Sequence, residues 1–135
     1  ARAGIPLTGN SAAMYQQAEV DGHLTRRKAP ALGDVAFFEN SYDRDGDGRL
    51  NDGVTHLAVV TAIDEDGTVT LVHKGSKGVT HLYMNLRHPA QDRDASGKVL
   101  NSVLRRPSGR DQPGTPRLTG ELWVGYARYW SDAPA

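Results

Sequence analysis

The chain contains no cysteine. Disulfide staples, Cys-based zinc sites and a cysteine nucleophile within these 135 residues are therefore excluded. There is no excess of either charge, because 16 Lys plus Arg balance 16 Asp plus Glu. That argues against nucleic acid or an anionic membrane as the principal partner, since both select a basic surface. The small basic clusters Arg26-Arg27-Lys28 and Arg105-Arg106 are isolated and lack interleaved aromatics, so they read as solvated charge. No apolar run approaches the ~18 residues of a membrane-spanning helix. No secretion signal, internal repeat or low-complexity tract is visible.

What is present suits one domain, 1–135, large enough to bury a core without staples, and a monomer is expected. "NSAAMYQQAEVDG" predicts a short helix, with Asn10 or Ser11 as its cap, Met14 and Ala18 on one face, and Gly22 at its end. "LTRRKAPALG" reads as a linker. "GDVAFFEN" predicts a strand, and "VTHLAVVTAI", β-branched and tightly bounded, predicts a central one. "DEDG" is a turn and "TVTLVH" the returning strand. "KGSKGVTHLYMNL" holds a Gly-rich loop and a further strand. From Pro89 to about Arg117 the chain is polar and irregular, with "KVLNSVLRR" as a short strand or extended piece. "ELWVGYARYW" closes the domain as an outer strand, anchored by Trp123 and Tyr126.

Helices first and antiparallel strands after is an α+β pattern. Such a sheet calls for helices packed on one face, and one complete helix is in sight. The opening "ARAGIPLTGN" adds to this. Ala1-Arg2-Ala3 are helix formers, Gly4 is the usual residue past a helix end, and Pro6 blocks continuation. The stretch reads as the tail of a helix.

Candidate chemistry centres on the hairpin. With Asp64 opposite Gly67, partners sum to 131 and His73 lies opposite Ala58. His56 is two residues from Ala58, so both histidines point to one face as diagonal neighbours, roughly 7–8 Å apart at the backbone. The same face carries Val60, Ala62, Leu71 and Val69, and small Ala58 leaves room for another group. One imidazole can serve as a base while the second orients it. Two other readings compete: polar residues near a strand end bonded to backbone or water, and a zinc pair, although neither H-E-x-x-H nor H-x-H spacing occurs. His23, His81 and His88 carry no assigned role, and Tyr15 is expected in the core.

At these residues the chain resembles the NlpC/P60 superfamily of papain-like cysteine peptidases, and is similar to the related CHAP amidases. "ALGDVAFFEN" followed by "THLAVVTAIDEDGTVTLVH" parallels the family's "PGDLVFF" strand, its "HVGIV" strand and a next strand ending in a polar residue. The likeness runs from Ala1 to His73, with a weaker match at the closing strand. It implies a papain-like antiparallel sheet with helices on one face, and hydrolysis of amide bonds in peptidoglycan stem peptides or cross-links. It places His56 as the catalytic histidine, His73 as the orienting third residue, and Gly33-Asp34 at the start of the strand. It also implies a cell-envelope or secreted location. The family's nucleophile is a cysteine at the start of a helix, which in relatives runs into a segment like "ARAGIPLTGN". That helix is expected to be the part this chain lacks, and the chain alone is expected to be inactive. Ser11 and Ser76 sit in a cap and a Gly-Lys loop, without a nucleophile-elbow context. The alternative is a non-catalytic module that binds cell-wall peptide or calcium, or serves structure alone.

The segment 39–53 is an acidic insertion. "DRDGDGRLNDG" fits the first half of a calcium loop, with Asp43, Asp45 and Asp47 at positions one, three and five and Gly48 at the sharp turn. Arg49 would offer its carbonyl and Asn51 stands at position nine. Val54 occupies position twelve, where an acid is usual, and Asp52 is the substitute. Three close carboxylates repel one another, and a structural calcium ion would relieve that. The competing reading is a solvated Asp-Gly turn.

Overall fold

The computed structural model describes residues 11–42, 50–75 and 78–128. The helix-tail reading of 1–10, the acids Asp43, Asp45 and Asp47, Arg49 and Ser76 lie outside the described residues. Eight elements follow in order: α1 (Ser11–Val20), β1 (Leu24–Thr25), β2 (Val35–Glu39), β3 (Val54–Ile63), β4 (Thr68–Gly75), β5 (Gly78–Asn85), α2 (Thr119–Leu122) and β6 (Trp123–Ala127). The strands form one antiparallel sheet in the order β1-β6-β2-β3-β4-β5. This is an α+β fold, and β3 lies well inside the sheet, as its apolar run predicts. The closing strand β6 is not at the edge. Leu24 and Thr25, within the expected linker, pair with Ala127 and Tyr126 and cover it.

The sheet has two buried faces, because neighbouring side chains on a strand point oppositely. Val35, Phe37 and Ala127 face α1, where Ala18 is buried and Tyr15 sets its ring edge-on to Phe37 at 5.3 Å. Ala36, Phe38, Ala58, Val60, Leu71 and Tyr126 face the other way, toward Leu86, Leu104 and Leu122. The expectation of helices on one face is corrected accordingly. α1 and the four-residue α2 lie on opposite faces, and the face bearing His56 is covered mainly by the irregular segment after β5.

That segment is held by buried amides instead of regular structure. Asn101 Oδ1 accepts from the backbone N–H of Asn85 (2.8 Å) and of Gly120 (3.1 Å), and its Nδ2 donates to the carbonyls of His88 and Gln91, both at 2.8 Å. Asn85 in turn caps the turn that leaves β5, accepting from the amides of Arg87 and His88 and donating to Thr68 Oγ1. Both side chains are about 1% exposed, so every one of these bonds replaces water that cannot enter. A second tie joins three strands. The Asp34 carboxylate, fully buried at the mouth of β2, takes a two-pronged contact from Arg128 at 2.8 and 2.9 Å and a bond from the Ala31 amide. Its backbone pairs with Val60 on β3.

Gly120 is required by space, not by its dihedral angles. A Cβ there would lie 2.6 Å from Asn101 Oδ1 and 2.7 Å from the Pro89 backbone. Gly120→Ala is expected to cost about 1–3 kcal/mol through overpacking. Asn101→Ala is expected to cost at least as much by stranding buried amides and carbonyls. Urea titration followed by tryptophan fluorescence measures both, and a change below about 0.5 kcal/mol for either would remove the role given to this junction.

Candidate functional site

The two histidines meet as the sequence predicts, by a less direct route. Beside the turn, Asp64 is opposite Thr68, not Gly67. The Asp64 N–H bonds to the Thr68 carbonyl, and Gly67, at φ +91, takes the left-handed position that a three-residue loop with a bulge demands. Partners there sum to 132: Ile63 with Val69, Ala62 with Thr70. Thr61 is then an extra residue, and beyond it the sum is 131: Val60 with Leu71, Val59 with Val72. The bulge restores the register before it reaches the histidines. It also turns Ala62 out to solvent, which corrects the expectation that Ala62 shares the buried face.

A second bulge sets His56 itself. Phe38 pairs with His56 but Glu39 pairs with Val54, so Thr55 is the extra residue. Val54 therefore packs on the α1 side while His56 lies on the face of Phe38 and Ala58. Without the bulge the two would share a face. Thr55 is used: its hydroxyl accepts from the Ser41 amide at 2.8 Å and bonds the Ser41 hydroxyl. Asn40 adopts a left-handed conformation at φ 52, bonds Gly53 through its N–H at 2.9 Å, and accepts from the Asp52 amide at 3.0 Å. The neck of the acidic insertion is thus closed next to His56.

The imidazoles form a hydrogen-bonded chain. His56 Nε2 lies 2.8 Å from His73 Nδ1, and His73 Nε2 lies 2.9 Å from Thr80 Oγ1. The rings meet edge to face at 5.0 Å. Thr80 stands opposite His73 in the β4–β5 register. It went unread in the sequence, although a tight hairpin pairing Gly75 with Gly78 places it there by the same arithmetic. His56 Nδ1 has no hydrogen-bond partner among the described residues.

Burial first, and the neighbouring His73 second, push the His56 imidazole down to about 4. Burial lowers His73 as well. Both rings are neutral at pH 7, which leaves two consistent proton arrangements. If Thr80 donates to His73, then His73 Nδ1–H donates to His56 Nε2, and His56 Nδ1 carries a proton. If His73 Nε2–H donates to Thr80, then His56 Nε2–H donates to His73, and Nδ1 presents a lone pair. The second arrangement is a base, and a proton arriving at Nδ1 leaves the His56–His73 bond intact. Facing each other at 2.8 Å, Nε2 and Nδ1 are engaged in that bond, and among the described residues no group of three or more His, Asp or Glu side chains is placed to hold a metal ion.

The pair borders a cleft of about 750 Å³ lined by Tyr42, Thr80, Leu82 and the 103–108 stretch with Arg110. A smaller hollow of about 430 Å³ opens on the α1 side, where Leu57, Val59, Val72 and Val79 line it. His81, opposite Val72, belongs to the face away from the large cleft. His88 is engaged through its backbone at the Asn101 junction, and His23 closes the turn after α1. Of the residues assigned to calcium, Asn51 and Asp52 are described at the loop neck; Val54 is packed on the α1 side. No helix among the described residues is long and apolar enough to cross a membrane. No family model, curated protein or solved structure matches this chain.

The lowered His56 value links to stability. In the unfolded chain this histidine binds a proton near its ordinary 6.5, and in the folded chain only near 4. Between those values the unfolded state holds more protons, so stability falls as pH falls through that window. Thermal melts from pH 7 to 4 are expected to show a steeper loss for the native protein than for His56→Gln. Parallel curves would mean that His56 is not held neutral by the fold.

Proposed function

We propose that this domain is the histidine-bearing part of an amide hydrolase of the NlpC/P60 or CHAP type, acting on peptidoglycan stem peptides or cross-links at the cell envelope or outside the cell. The observation that carries this reading is the chain His56–His73–Thr80, with Nδ1 of His56 left open beside a large cleft. The likeness of the strand motifs to that family supports it from the sequence side.

In this reading a thiol supplied from outside these 135 residues gives its proton to His56 Nδ1 and its sulfur attacks the amide carbonyl. The C–N bond breaks as His56 returns the proton to the leaving amine. Water then attacks the thioester as His56 takes its proton, the C–S bond breaks, and His56 returns that proton to the leaving sulfur. His73 holds the His56 ring and shares the charge that develops on it, and Thr80 fixes the His73 ring. A thiolate beside His56 would favour its charged form and raise it from about 4. The absence of cysteine from the chain favours a second reading, a cell-wall peptide-binding module without catalysis.

With the cysteine-bearing segment present, His56→Ala is expected to lower release of amines from peptidoglycan by about 10²–10⁴-fold. His73→Ala should lower it less, because the base remains. Undiminished hydrolysis by His56→Ala rules out the role given to it, and binding of stem peptide without any cleavage selects the second reading.

We also propose a structural calcium ion in the acidic insertion, held by Asp43, Asp45 and Asp47 with the Arg49 carbonyl, Asn51 and Asp52. The Asp-x-Asp-x-Asp-Gly spacing supports it. So does the closed neck, which puts the Asp52 backbone against Asn40. Because Val54 is packed against the α1-side core, Asp52 is the acid nearest the end of the loop. Calorimetry at millimolar calcium should give heat and a raised Tm, and neither appearing would remove calcium from the account.

A further inference from the structure

Among the described residues, the lining of the cleft beside the histidines is unbalanced in charge. Arg105, Arg106 and Arg110 line it, and among the described residues no carboxylate does. Arg105 is already committed. Its side chain is buried, paired with Asp111 at 2.6 Å, and donates to the Asn40 carbonyl at 2.7 Å. Asp111 takes a second partner, Arg117, at 2.9 Å. The arginines hold the Asp111 carboxyl below the usual carboxylate range, so it stays ionised. This cluster fixes the 105–111 turn, which is closed further by the Asp111 N–H on the Ser108 carbonyl and the Arg105 N–H on the Arg117 carbonyl, both at 3.1 Å.

Arg106 and Arg110 sit on that fixed turn and differ from Arg105. Both are exposed, and neither forms an ion pair among the described residues. Two guanidinium groups with no ion-pair partner among the described residues thus share a partly enclosed cleft with His56. A cleft with low-dielectric walls concentrates such a field, and guanidinium pairs bind planar anions through paired N–H donors.

We propose that Arg106 and Arg110 hold a carboxylate of the substrate, so that the cleft selects peptides bearing a free carboxylate near the amide presented to His56. The inference rests on the amide-hydrolase reading of this cleft and names its substrate class. Neither arginine is a catalytic residue; both position the substrate.

Binding reads this without any need for turnover. Calorimetric titration of the protein with the peptide Ala–γ-D-Glu–Lys–D-Ala, carrying free carboxylates, is compared with the same peptide carrying carboxamides. The acid form is expected to bind about tenfold or more tightly. It should also shift the His56 imidazole signals in NMR. The double variant Arg106→Gln/Arg110→Gln is expected to remove that preference while leaving Tm unchanged, because both side chains are exposed. The variant Arg106→Lys/Arg110→Lys should keep part of it. Equal binding of the two peptides, no binding of either, or an unchanged preference in the Gln variant would overturn the proposal. Displacement of the acid peptide by inorganic phosphate at equal concentration would overturn it too, by marking a general anion site. A failure of hydrolysis elsewhere leaves these outcomes untouched, so the two readings fall separately.

Discussion

The covering of the histidine-bearing face depends on one buried side chain. Asn101 has four hydrogen-bonding capacities and uses them on Asn85, His88 and Gln91, in the run that leaves β5, and on Gly120 in α2. A segment without helix or ladder must find partners for its backbone groups when it is buried, or the cost is prohibitive. One amide supplies several of them at once. With the segment pinned, Leu86, Leu104 and Leu122 are available to the apolar face, and Arg105 is carried to the neck of the acidic insertion. The cleft walls on that side follow from this junction, as does the close approach that only glycine at 120 allows.

The histidine pair depends on registers that are repaired locally. A one-residue slip in a hairpin sends every side chain to the other face. The turn at Asp64–Thr68 introduces such a slip, and the Thr61 bulge removes it within three residues. The Thr55 bulge makes a second change of face, which separates Val54 from His56. These irregularities place an imidazole over an apolar cluster, where burial keeps it neutral and near its partner. Register shifts also occur between β2 and β6, whereas the β4–β5 ladder is unbroken. That ladder is what brings Thr80 to His73.

Charge is sorted in the same way. Arg128 neutralises Asp34 and Arg105 neutralises Asp111, each carboxylate being buried and each pair tying distant segments. The Tyr126 hydroxyl, fully buried near Asp34, is pushed up by burial and by that carboxylate and stays protonated. With these groups committed, the charge that the described residues leave facing the cleft is positive, although the chain is neutral in sum.

The one-dimensional pattern of β-branched runs, Asp-Gly turns and a short helix-forming stretch ended by Gly22 determined the α+β class, the helix at Ser11–Val20, the central position of Val54–Ile63 and the meeting of His56 with His73. Those depend on periods of two and 3.6 residues and on local turn chemistry, which the sequence carries directly. It could not carry the rest. The β1 pairing of Leu24 and Thr25 depends on what β6 leaves uncovered, and two residues have no period to read. The course of residues 86–118 is decided by Asn101, whose partners lie up to 19 residues away and have no sequence signature. Its placement on the histidine face, where helices were expected, follows from the two-sided sheet. Arg106 and Arg110 look like solvated charge in sequence, and only the fold puts them in one cleft with an imidazole. Local geometry is written in neighbouring residues, whereas burial and the neutralisation of one charge by another are settled only once distant segments pack together.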